Sequence, residues 1–449
     1  MVPVSFPRLG SGEDKQDPSS DGLELEEILD IGKRTLAGLA IALSIAVAPL
    51  ATASAAPAKA PATQRWVASW ASAQMVPAAK DALPAAEVTD GTLRQTLRLS
   101  TGGGKIRVRL SNAFGTEPLN LSGVHIALAA APGSARIDPA SDRALAFSGR
   151  PEVTIPPGAE YLSDPIDFPA APLANLAVTM RFDGPPPAQQ TSHPGSRTTS
   201  WFGAGDQLAA AELTGGKSLD RWFQISGVDV LRPAGASLVT FGDSITDGYG
   251  VTTNGNNRWP DILAARLQAE PRTRGVGVLN AGIGGNRLVL DGLGPNAMAR
   301  FERDVLGQAG VKYVILLEGV NDLGVLTRDQ PASPETHAAL VTRMTAAYDQ
   351  MIRRAHDRGI KVYGATVMPF GGSGYYHPDA ANEQDRQAIN AWIRTPGRFD
   401  AVIDFDKLTR DPANPSRLSP AYDSGDGLHP SLAGYKAMAD AVPLDLFTR

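Results

Sequence analysis

The 449-residue chain contains no cysteine. This absence excludes disulfide bonds, cysteine-ligated zinc and thiol catalysis together. The hydrophobic and charged fractions, 43% and 20%, are those of an ordinary globular protein with enough apolar material for a core. The chain is about three times as long as a typical domain, which favours two folded domains behind a processed leader.

A run of lysine and arginine is also missing, and the formal net charge is -5. Proteins that follow a phosphate backbone or an anionic membrane surface usually carry such a basic run. We therefore expect no nucleic-acid partner for this chain.

The N-terminus has no apolar run of the roughly 20 residues that a membrane span requires. Lys33 and Arg34 precede a shorter apolar stretch at 36–47, and small residues end at Ala55. This order predicts a secretory signal peptide at 1–55, cleaved after Ala55, without a stable membrane anchor. The acidic stretch at 13–30 makes it an atypical leader, because a short basic region normally stands there. An Ala/Pro linker follows at 56–64.

Residues 65–232 consist of short alternating segments separated by Gly, Pro, Asn and Asp clusters, which predicts β structure. Alternation at 93–99 and at 106–110, around three glycines at 102–104, predicts a hairpin with one buried face. Further predicted strands lie at 123–128, 151–155 and 176–182. Such spacing indicates an all-β sandwich or jelly roll.

Residues 236–449 change to apolar strands that alternate with amphipathic helices. This alternation predicts a parallel sheet covered by helices on both faces, with the chemistry beyond the carboxyl ends of its strands. The predicted strands are 237–241, 276–280, 313–317, 361–367 and 401–405. The predicted helices are 259–268, 296–306, 334–358, 382–393 and 432–442.

Four short segments carry residue types suited to catalysis. They read FGDSITDG at 241–248, NAGIGGN at 280–286, LEGVND at 317–322 and DGLHPS at 426–431. A serine at the start of the segment after a strand can attack a carbonyl carbon, and an Asp three residues before a His can orient that imidazole as a base. Taken alone, each segment is compatible with an ordinary turn.

In this order the four segments resemble the blocks of the GDSL family, also called SGNH hydrolases. The Gly-Asp-Ser block matches residues 242–244, the block-two glycine falls on Gly285, the Gly-x-Asn-Asp block matches 319–322, and the Asp-x-x-His-Pro block matches 426–430. Ile245 replaces the leucine of the family name, a volume-conserving change. The resemblance implies the flavodoxin-like three-layer α/β fold.

It also implies a serine esterase of the lipase-like type that needs no cofactor or metal. Ser244 would be the nucleophile, His429 the general base and Asp426 the residue that orients the base. The oxyanion hole would consist of the Ser244 N–H, the Gly285 N–H and the Asn321 side chain. We expect short acyl esters as substrates, with acetylated carbohydrate as a candidate, because no long apolar lid-like segment accompanies Ser244.

Two alternatives remain open on the residues alone. The first is a metal-dependent hydrolase that uses Asp243, Asp322, Asp426 and His429 as ligands. The second is a secreted carbohydrate-binding protein that keeps the fold without turnover. Trp201 and His193 of the β region could line a sugar site, although aromatic side chains in a sandwich are more often core residues.

Overall fold

The computed structural model of the chain describes residues 64–448. The predicted signal peptide and residues 56–63 of the predicted linker lie outside the described residues. Strand β1 already begins at Gln64, the last residue of that linker.

The β region contains fourteen described strands. They are β1 (Gln64–Ala71), β2 (Thr92–Arg98), β3 (Gly103–Ser111), β4 (Leu119–Leu128), β5 (Arg143–Ala144), β6 (Val153–Ile155), β7 (Glu160–Leu162), β8 (Ile166–Ala170), β9 (Asn175–Phe182), β10 (Ser192–His193), β11 (Ser200–Gly203), β12 (Lys217–Leu219), β13 (Trp222–Phe223) and β14 (Ile225–Pro233). One α-helical turn, α1 (Ala85–Val88), and two 3-10 turns, Ala79–Asp81 and Pro139–Ser141, connect them.

Two antiparallel sheets form a sandwich, which confirms the predicted all-β architecture. One sheet has the order β1-β14-β3-β7 with β8 beside β3, and the other has the order β12-β11-β2-β9-β4-β5 with β6 beside β4. Alternate side chains of both sheets are buried in one shared core, including those of Leu97, Val108, Val178 and Val230. The period of two along each strand places these residues on the inner faces.

The predicted hairpin around the three glycines is wrong. Strand β2 pairs with β9 and β11, whereas β3 pairs with β14, β7 and β8, so the two strands lie in opposite sheets. The glycines serve this crossover instead of a tight turn. A Cβ on Gly102 would lie 2.3 Å from the Ala170 carbonyl oxygen, and one on Gly103 would lie 2.9 Å from the Leu231 carbonyl oxygen.

The α/β region contains five strands and eight α-helices among the described residues. They are β15 (Ala236–Gly242), α2 (Ser244–Asp247), α3 (Trp259–Ala269), β16 (Val276–Gly282), α4 (Ala297–Phe301), β17 (Val311–Leu317), α5 (Val320–Thr327), α6 (Pro334–His356), β18 (Lys361–Ala365), α7 (Ala380–Arg394), β19 (Ala401–Ile403), α8 (Phe405–Thr409) and α9 (Leu432–Ala441). A π-helical turn, Glu302–Leu306, extends α4, and a 3-10 turn, Leu444–Phe447, follows α9.

The five strands form one parallel sheet with the order β16-β15-β17-β18-β19. Numbered within the region, this is the 2-1-3-4-5 order of flavodoxin-like folds, as predicted. Strand β15 lies between β16 and β17 and is completely buried, because both faces are covered. The carboxyl ends of β16, β15 and β17 are neighbours, so the segments that follow them meet at one edge of the sheet.

The β region packs directly against the α/β region. The Ser237 hydroxyl of β15 donates to the Ala68 carbonyl of β1 over 3.1 Å, and the Ser100 hydroxyl accepts from the Val278 N–H of β16 at 2.8 Å. Ala68, Ala71 and Ala73 belong to the same apolar core as the parallel sheet.

Within residues 64–448, no helix has the length and apolar character needed to cross a membrane.

Candidate active site

Ser244 stands at the junction of β15 and α2. It is the first residue of the helix, and the Asp243 carboxylate caps that helix by accepting from the Ile245 N–H at 2.9 Å. Gly242 permits the close approach of β17, because a Cβ there would lie 2.4 Å from the Leu317 carbonyl oxygen. The chain therefore turns sharply where β15 ends, and Ser244 lies at the carboxyl edge of the sheet.

Ser244, His429 and Asp426 form one hydrogen-bonded chain. The Ser244 Oγ lies 2.8 Å from His429 Nε2, and His429 Nδ1 lies 2.6 Å from Asp426 Oδ2. Both Ser244 and His429 are buried among their neighbours, yet both line the same cavity. The structure thus brings together a hydroxyl from the middle of the chain and an imidazole from its end.

The Asp426 carboxylate is held in place by the loop that carries it. Its Oδ1 accepts from the backbone N–H groups of Leu428 and His429 at 2.9 and 2.8 Å. Partial burial raises the pKa of Asp426, but the hydrogen bonds from His429 and from the two N–H groups outweigh burial and hold that pKa well below its usual range. The carboxylate is therefore ionised and can only accept, which places a proton on His429 Nδ1.

Tyr249 covers the imidazole of His429. The two ring centroids are 4.1 Å apart with an angle of 31° between the planes. The tyrosine ring is 47% exposed and lines the cavity. Since Tyr249 follows α2 closely, the segment that carries Ser244 also packs on the His429 ring.

Two residues that line the cavity, Ser244 and Gly285, offer backbone N–H groups. The Ser244 N–H has no acceptor within α2 because it is at the first helical position. Gly285 lies in the loop after β16 with φ 73°, a left-handed conformation that favours glycine. Among the described residues, neither N–H donates to another backbone group.

The Asn321 side chain lies in the same cavity and is fixed by two hydrogen bonds. Its Nδ2 donates to the Asn286 carbonyl at 2.7 Å, and its Oδ1 accepts from the Tyr376 hydroxyl at 2.6 Å. The second hydrogen of Nδ2 is left for a ligand. Asn321 lies in helix α5, which is not among the helices predicted from the sequence.

A buried arginine that the sequence analysis missed lies beneath this loop. Arg300 of α4 donates to the Gly242 carbonyl at 2.9 Å, to the Ala281 carbonyl at 2.7 Å and to Asn286 Oδ1 at 2.8 Å. It also forms an ion pair with Glu318 at 3.1 Å. One guanidinium therefore links the ends of three neighbouring strands to the loop that carries Gly285.

Three further buried groups of this part of the site are the carboxyl groups of Asp243, Glu318 and Asp322, of which Glu318 pairs with Arg300. Burial raises the pKa of Asp243 to about 7, raises that of Asp322 to about 6, and raises that of Glu318 well above its usual range. Asp322 accepts from the Leu288 and Val289 N–H groups at 2.6 and 3.0 Å. Asp243 and Asp322 are thus occupied by backbone donors, and residues 64–448 contain no group of three or more His, Asp or Glu side chains arranged to hold a metal ion.

The cavity above Ser244 has a volume of about 1480 Å³, larger than the 300–1,000 Å³ typical of small-molecule sites. Both regions of the chain line it. Met75, Lys80, Phe114 and Arg197 come from the β region. The β region is therefore a wall of this cavity.

His193 is buried and does not present an exposed ring to a sugar. Its Nδ1 lies 2.7 Å from the Ala73 carbonyl oxygen, and its Nε2 lies 2.9 Å from Asp247 Oδ1 at the end of α2. His193 still contributes to the cavity lining. Trp201 is half-buried, donates to the Gly133 carbonyl at 2.8 Å and is not among the lining residues.

Residues 240–437 match the model of the GDSL-like lipase/acylhydrolase family. This part of the chain is a GDSL-like lipase/acylhydrolase domain, and it therefore belongs to a family of hydrolases. The match covers the segments that contain Ser244, Gly285, Asn321, Asp426 and His429. No curated protein matches the chain.

Solved structures similar to the chain include a lipolytic protein of the G-D-S-L family from Desulfitobacterium hafniense, which is 22% identical in sequence. The match covers 46% of this chain and 97% of that chain, with a TM-score of 0.34. An acetylxylan esterase from Geobacillus stearothermophilus has 22% identity, coverage of 46% and 93%, and a TM-score of 0.35. A GDSL-like lipase from Bacteroides thetaiotaomicron has 20% identity, coverage of 46% and 84%, and a TM-score of 0.34.

Proposed function

We propose that the protein is a serine esterase that hydrolyses carboxylic esters through Ser244, His429 and Asp426. The observation that carries the proposal is the pair of distances in this chain of side chains, 2.8 Å from Ser244 Oγ to His429 Nε2 and 2.6 Å from His429 Nδ1 to Asp426 Oδ2. With the proton on Nδ1, the lone pair of Nε2 faces the serine hydroxyl, as a general base requires.

In this mechanism the Ser244 Oγ forms a bond to the ester carbonyl carbon while its proton passes to His429 Nε2. The carbonyl oxygen becomes an oxyanion, which the Ser244 N–H, the Gly285 N–H and Asn321 Nδ2 stabilise. His429 then donates the proton to the alcohol oxygen, the bond between the acyl carbon and that oxygen breaks, and an acyl-enzyme remains. Water, activated by His429, attacks the acyl carbon and releases the acid and the free serine.

The replacement of Ser244 by alanine tests this proposal. We expect Ser244→Ala to lower the turnover of p-nitrophenyl acetate by about 10³-fold or more, since the nucleophile is lost, while Ser218→Ala, at an exposed position of β12, leaves turnover unchanged. Retained turnover in Ser244→Ala would contradict the proposal.

The same assay separates the two alternatives. A hydrolase dependent on a metal would lose activity with a chelator and resist a serine-reactive organophosphonate, and we expect the reverse. A carbohydrate-binding protein without turnover would show no hydrolysis in the wild-type protein.

We further propose short acyl groups on a carbohydrate as substrates. The cavity exceeds the volume of a small ester, and two exposed rings, Tyr249 and Tyr375, line it as flat surfaces against which a sugar ring can pack. Comparison of p-nitrophenyl esters from acetate to palmitate, with acetylated xylan and pectin, tests the proposal. A preference for palmitate would contradict it.

Export is the last part of the proposal. The order of charged, apolar and small residues before Ala55 supports cleavage of a signal peptide there. N-terminal sequencing of the protein recovered outside cells that express the whole chain should give a mature chain beginning at Ala56. Recovery of the unprocessed chain inside the cells alone would contradict export.

A further inference from the structure

A loop of the β region places an arginine in the active-site cavity with its backbone in an unusual conformation. Arg197 has φ 48°, and of the nine described non-glycine residues at positive φ it alone lines the cavity. Residues with a side chain rarely adopt this conformation, which persists where surrounding contacts impose it.

Contacts with the α/β region impose the conformation of this loop. The Arg197 carbonyl accepts from the Asn254 N–H at 2.9 Å, and Asn254 Oδ1 accepts from the Thr199 N–H at 2.9 Å. Arg258, whose Nε also donates to the Asp247 carbonyl at the end of α2, donates to the Ser196 carbonyl. The position of Arg197 is therefore fixed relative to the helix that carries Ser244.

The Arg197 guanidinium has no anionic partner among the described residues. No carboxylate there forms an ion pair with it, and its Nε is buried without a hydrogen-bond acceptor. The guanidinium lies 5.4 Å from the centroid of the Tyr249 ring. A charge held in this way, half-buried and without an acceptor, is suited to bind an anion that enters the cavity.

The other charged side chains of the cavity lining balance one another, so Arg197 gives the lining its one additional positive charge. Three lining carboxylates contact a neighbouring side chain, Asp81 that of Arg221, Asp247 that of His193 and Asp426 that of His429, and of these three partners Arg221 is the permanent cation. Lining cations without an ion-pair partner in residues 64–448 are Lys80, Arg197 and Arg287, against one such carboxylate, Asp291. With Arg221 and Arg328 included, five basic side chains line the cavity against four carboxylates, in a chain whose net charge is -5.

The geometry also indicates which part of the ester faces Arg197. In the proposed mechanism His429 hands its proton to the leaving alcohol, so the alcohol lies on the side of that imidazole. Tyr249 packs on the same imidazole, and Arg197 lies over Tyr249. The Tyr249 ring is therefore the group that separates Arg197 from the position of the alcohol.

We propose that Arg197 forms a subsite for a carboxylate on the alcohol portion of the substrate, so that the enzyme prefers esters of acidic sugars, such as O-acylated uronic acid units, over esters of neutral sugars. This inference rests on the proposed esterase function. In this proposal the β region recognises the alcohol portion of the substrate, by its charge as well as by its shape.

The test compares an O-acetylated oligogalacturonide, an acetylated xylo-oligosaccharide and p-nitrophenyl acetate. We expect the wild-type kcat/KM to be highest for the anionic oligosaccharide and to fall with added salt, because salt screens charge pairs. Arg197→Gln should lower kcat/KM for that substrate by about tenfold or more through KM, and leave the two neutral substrates within about twofold. Arg197→Lys should retain part of the preference.

Arg343→Gln is the matched control. Arg343 is exposed on α6 and does not line the cavity, and its replacement changes the net charge of the chain by the same amount. We expect this variant to keep the wild-type preference. Thermal unfolding of all variants verifies that the loop change leaves them folded.

Several outcomes would overturn the inference. One is an equal loss of kcat/KM on all three substrates in Arg197→Gln. A second is the absence of a preference for the anionic oligosaccharide in the wild type. A third is a loss in Arg197→Gln that is confined to an ester with an anionic acyl group, p-nitrophenyl hemisuccinate. Each of these leaves the esterase proposal intact, because p-nitrophenyl acetate is hydrolysed in every case. Absence of p-nitrophenyl acetate hydrolysis in the wild type overturns both.

Discussion

At the scale of single residues, the orientation of Asn321 depends on a neighbour that no motif indicates. Tyr376 donates to Asn321 Oδ1 at 2.6 Å, which directs the amide nitrogen toward the cavity. Burial raises the pKa of Tyr376, so its hydroxyl stays protonated and remains a donor. The tyrosine therefore positions a group that would contact the oxyanion.

We expect Tyr376→Phe to lower kcat for p-nitrophenyl acetate by about tenfold with little change in KM. The Asn321 amide would stabilise the transition state and not the bound substrate, so an amide that is held less firmly lowers kcat alone. Asn321→Ala should lower kcat further, by about 10²-fold or more. Phe370, which packs edge-on against Tyr376 without a polar contact, offers Phe370→Leu as a control for packing. A kcat in Tyr376→Phe equal to that of the wild type would show that Asn321 needs no such support.

The residues that would perform the chemistry were predictable, and those that support them were not. Ser244, Asp426 and His429 stand in short ordered segments after strands or in the last loop, where residue type and spacing are informative. Arg300 and Tyr376 belong to no such segment. Their roles arise from contacts across the fold, which a single sequence does not encode locally.

At the scale of elements, helix α2 is held at its two ends by different regions of the chain. Its first residue is Ser244. Its last residue, Asp247, forms a hydrogen bond at 2.9 Å with His193 of β10. His193 Nδ1 faces the Ala73 carbonyl, which can only accept, so this nitrogen carries a proton. The β region thereby fixes the end of the helix that presents the nucleophile.

Two replacements of His193 separate its two contacts. A glutamine can place its amide nitrogen near the position of His193 Nε2 and keep the hydrogen bond to Asp247. An asparagine can place its amide nitrogen near the position of His193 Nδ1 and keep the hydrogen bond to the Ala73 carbonyl. We expect His193→Gln to retain kcat within about threefold and His193→Asn to lower it by about tenfold, the loss typical of one charge-assisted hydrogen bond. Melting temperatures of the two variants should fall by similar amounts, and equal kcat values would reduce His193 to a structural role.

The accuracy of the predicted elements differs between the two regions for a physical reason. Buried parallel strands are continuous apolar runs, and β15, β16 and β17 match their predicted positions within two residues. In the β region the period of two marks strands but does not identify their partners. For this reason β2 and β3 were predicted to pair, although they lie in opposite sheets.

At the scale of the whole molecule, the site is formed by parts of the chain that are distant in sequence. Ser244 follows β15, His429 lies 185 residues later in the loop before α9, and a further wall of the cavity belongs to the β region. The sequence predicted an accessory β domain at 65–232 and left open whether it binds carbohydrate. In the structure its strands and loops pack on the parallel sheet and on helix α2, which begins at Ser244.

The most direct test of the central claim is peptide mass spectrometry after reaction with a serine-reactive p-nitrophenyl organophosphonate. We expect one phosphonyl group per chain on Ser244, a loss of esterase activity in proportion to labelling, and at least 10²-fold slower labelling in His429→Ala, since that variant lacks the base. Labelling of another residue, or full esterase activity in completely labelled protein, would contradict the assignment of Ser244 and His429 as the reacting pair.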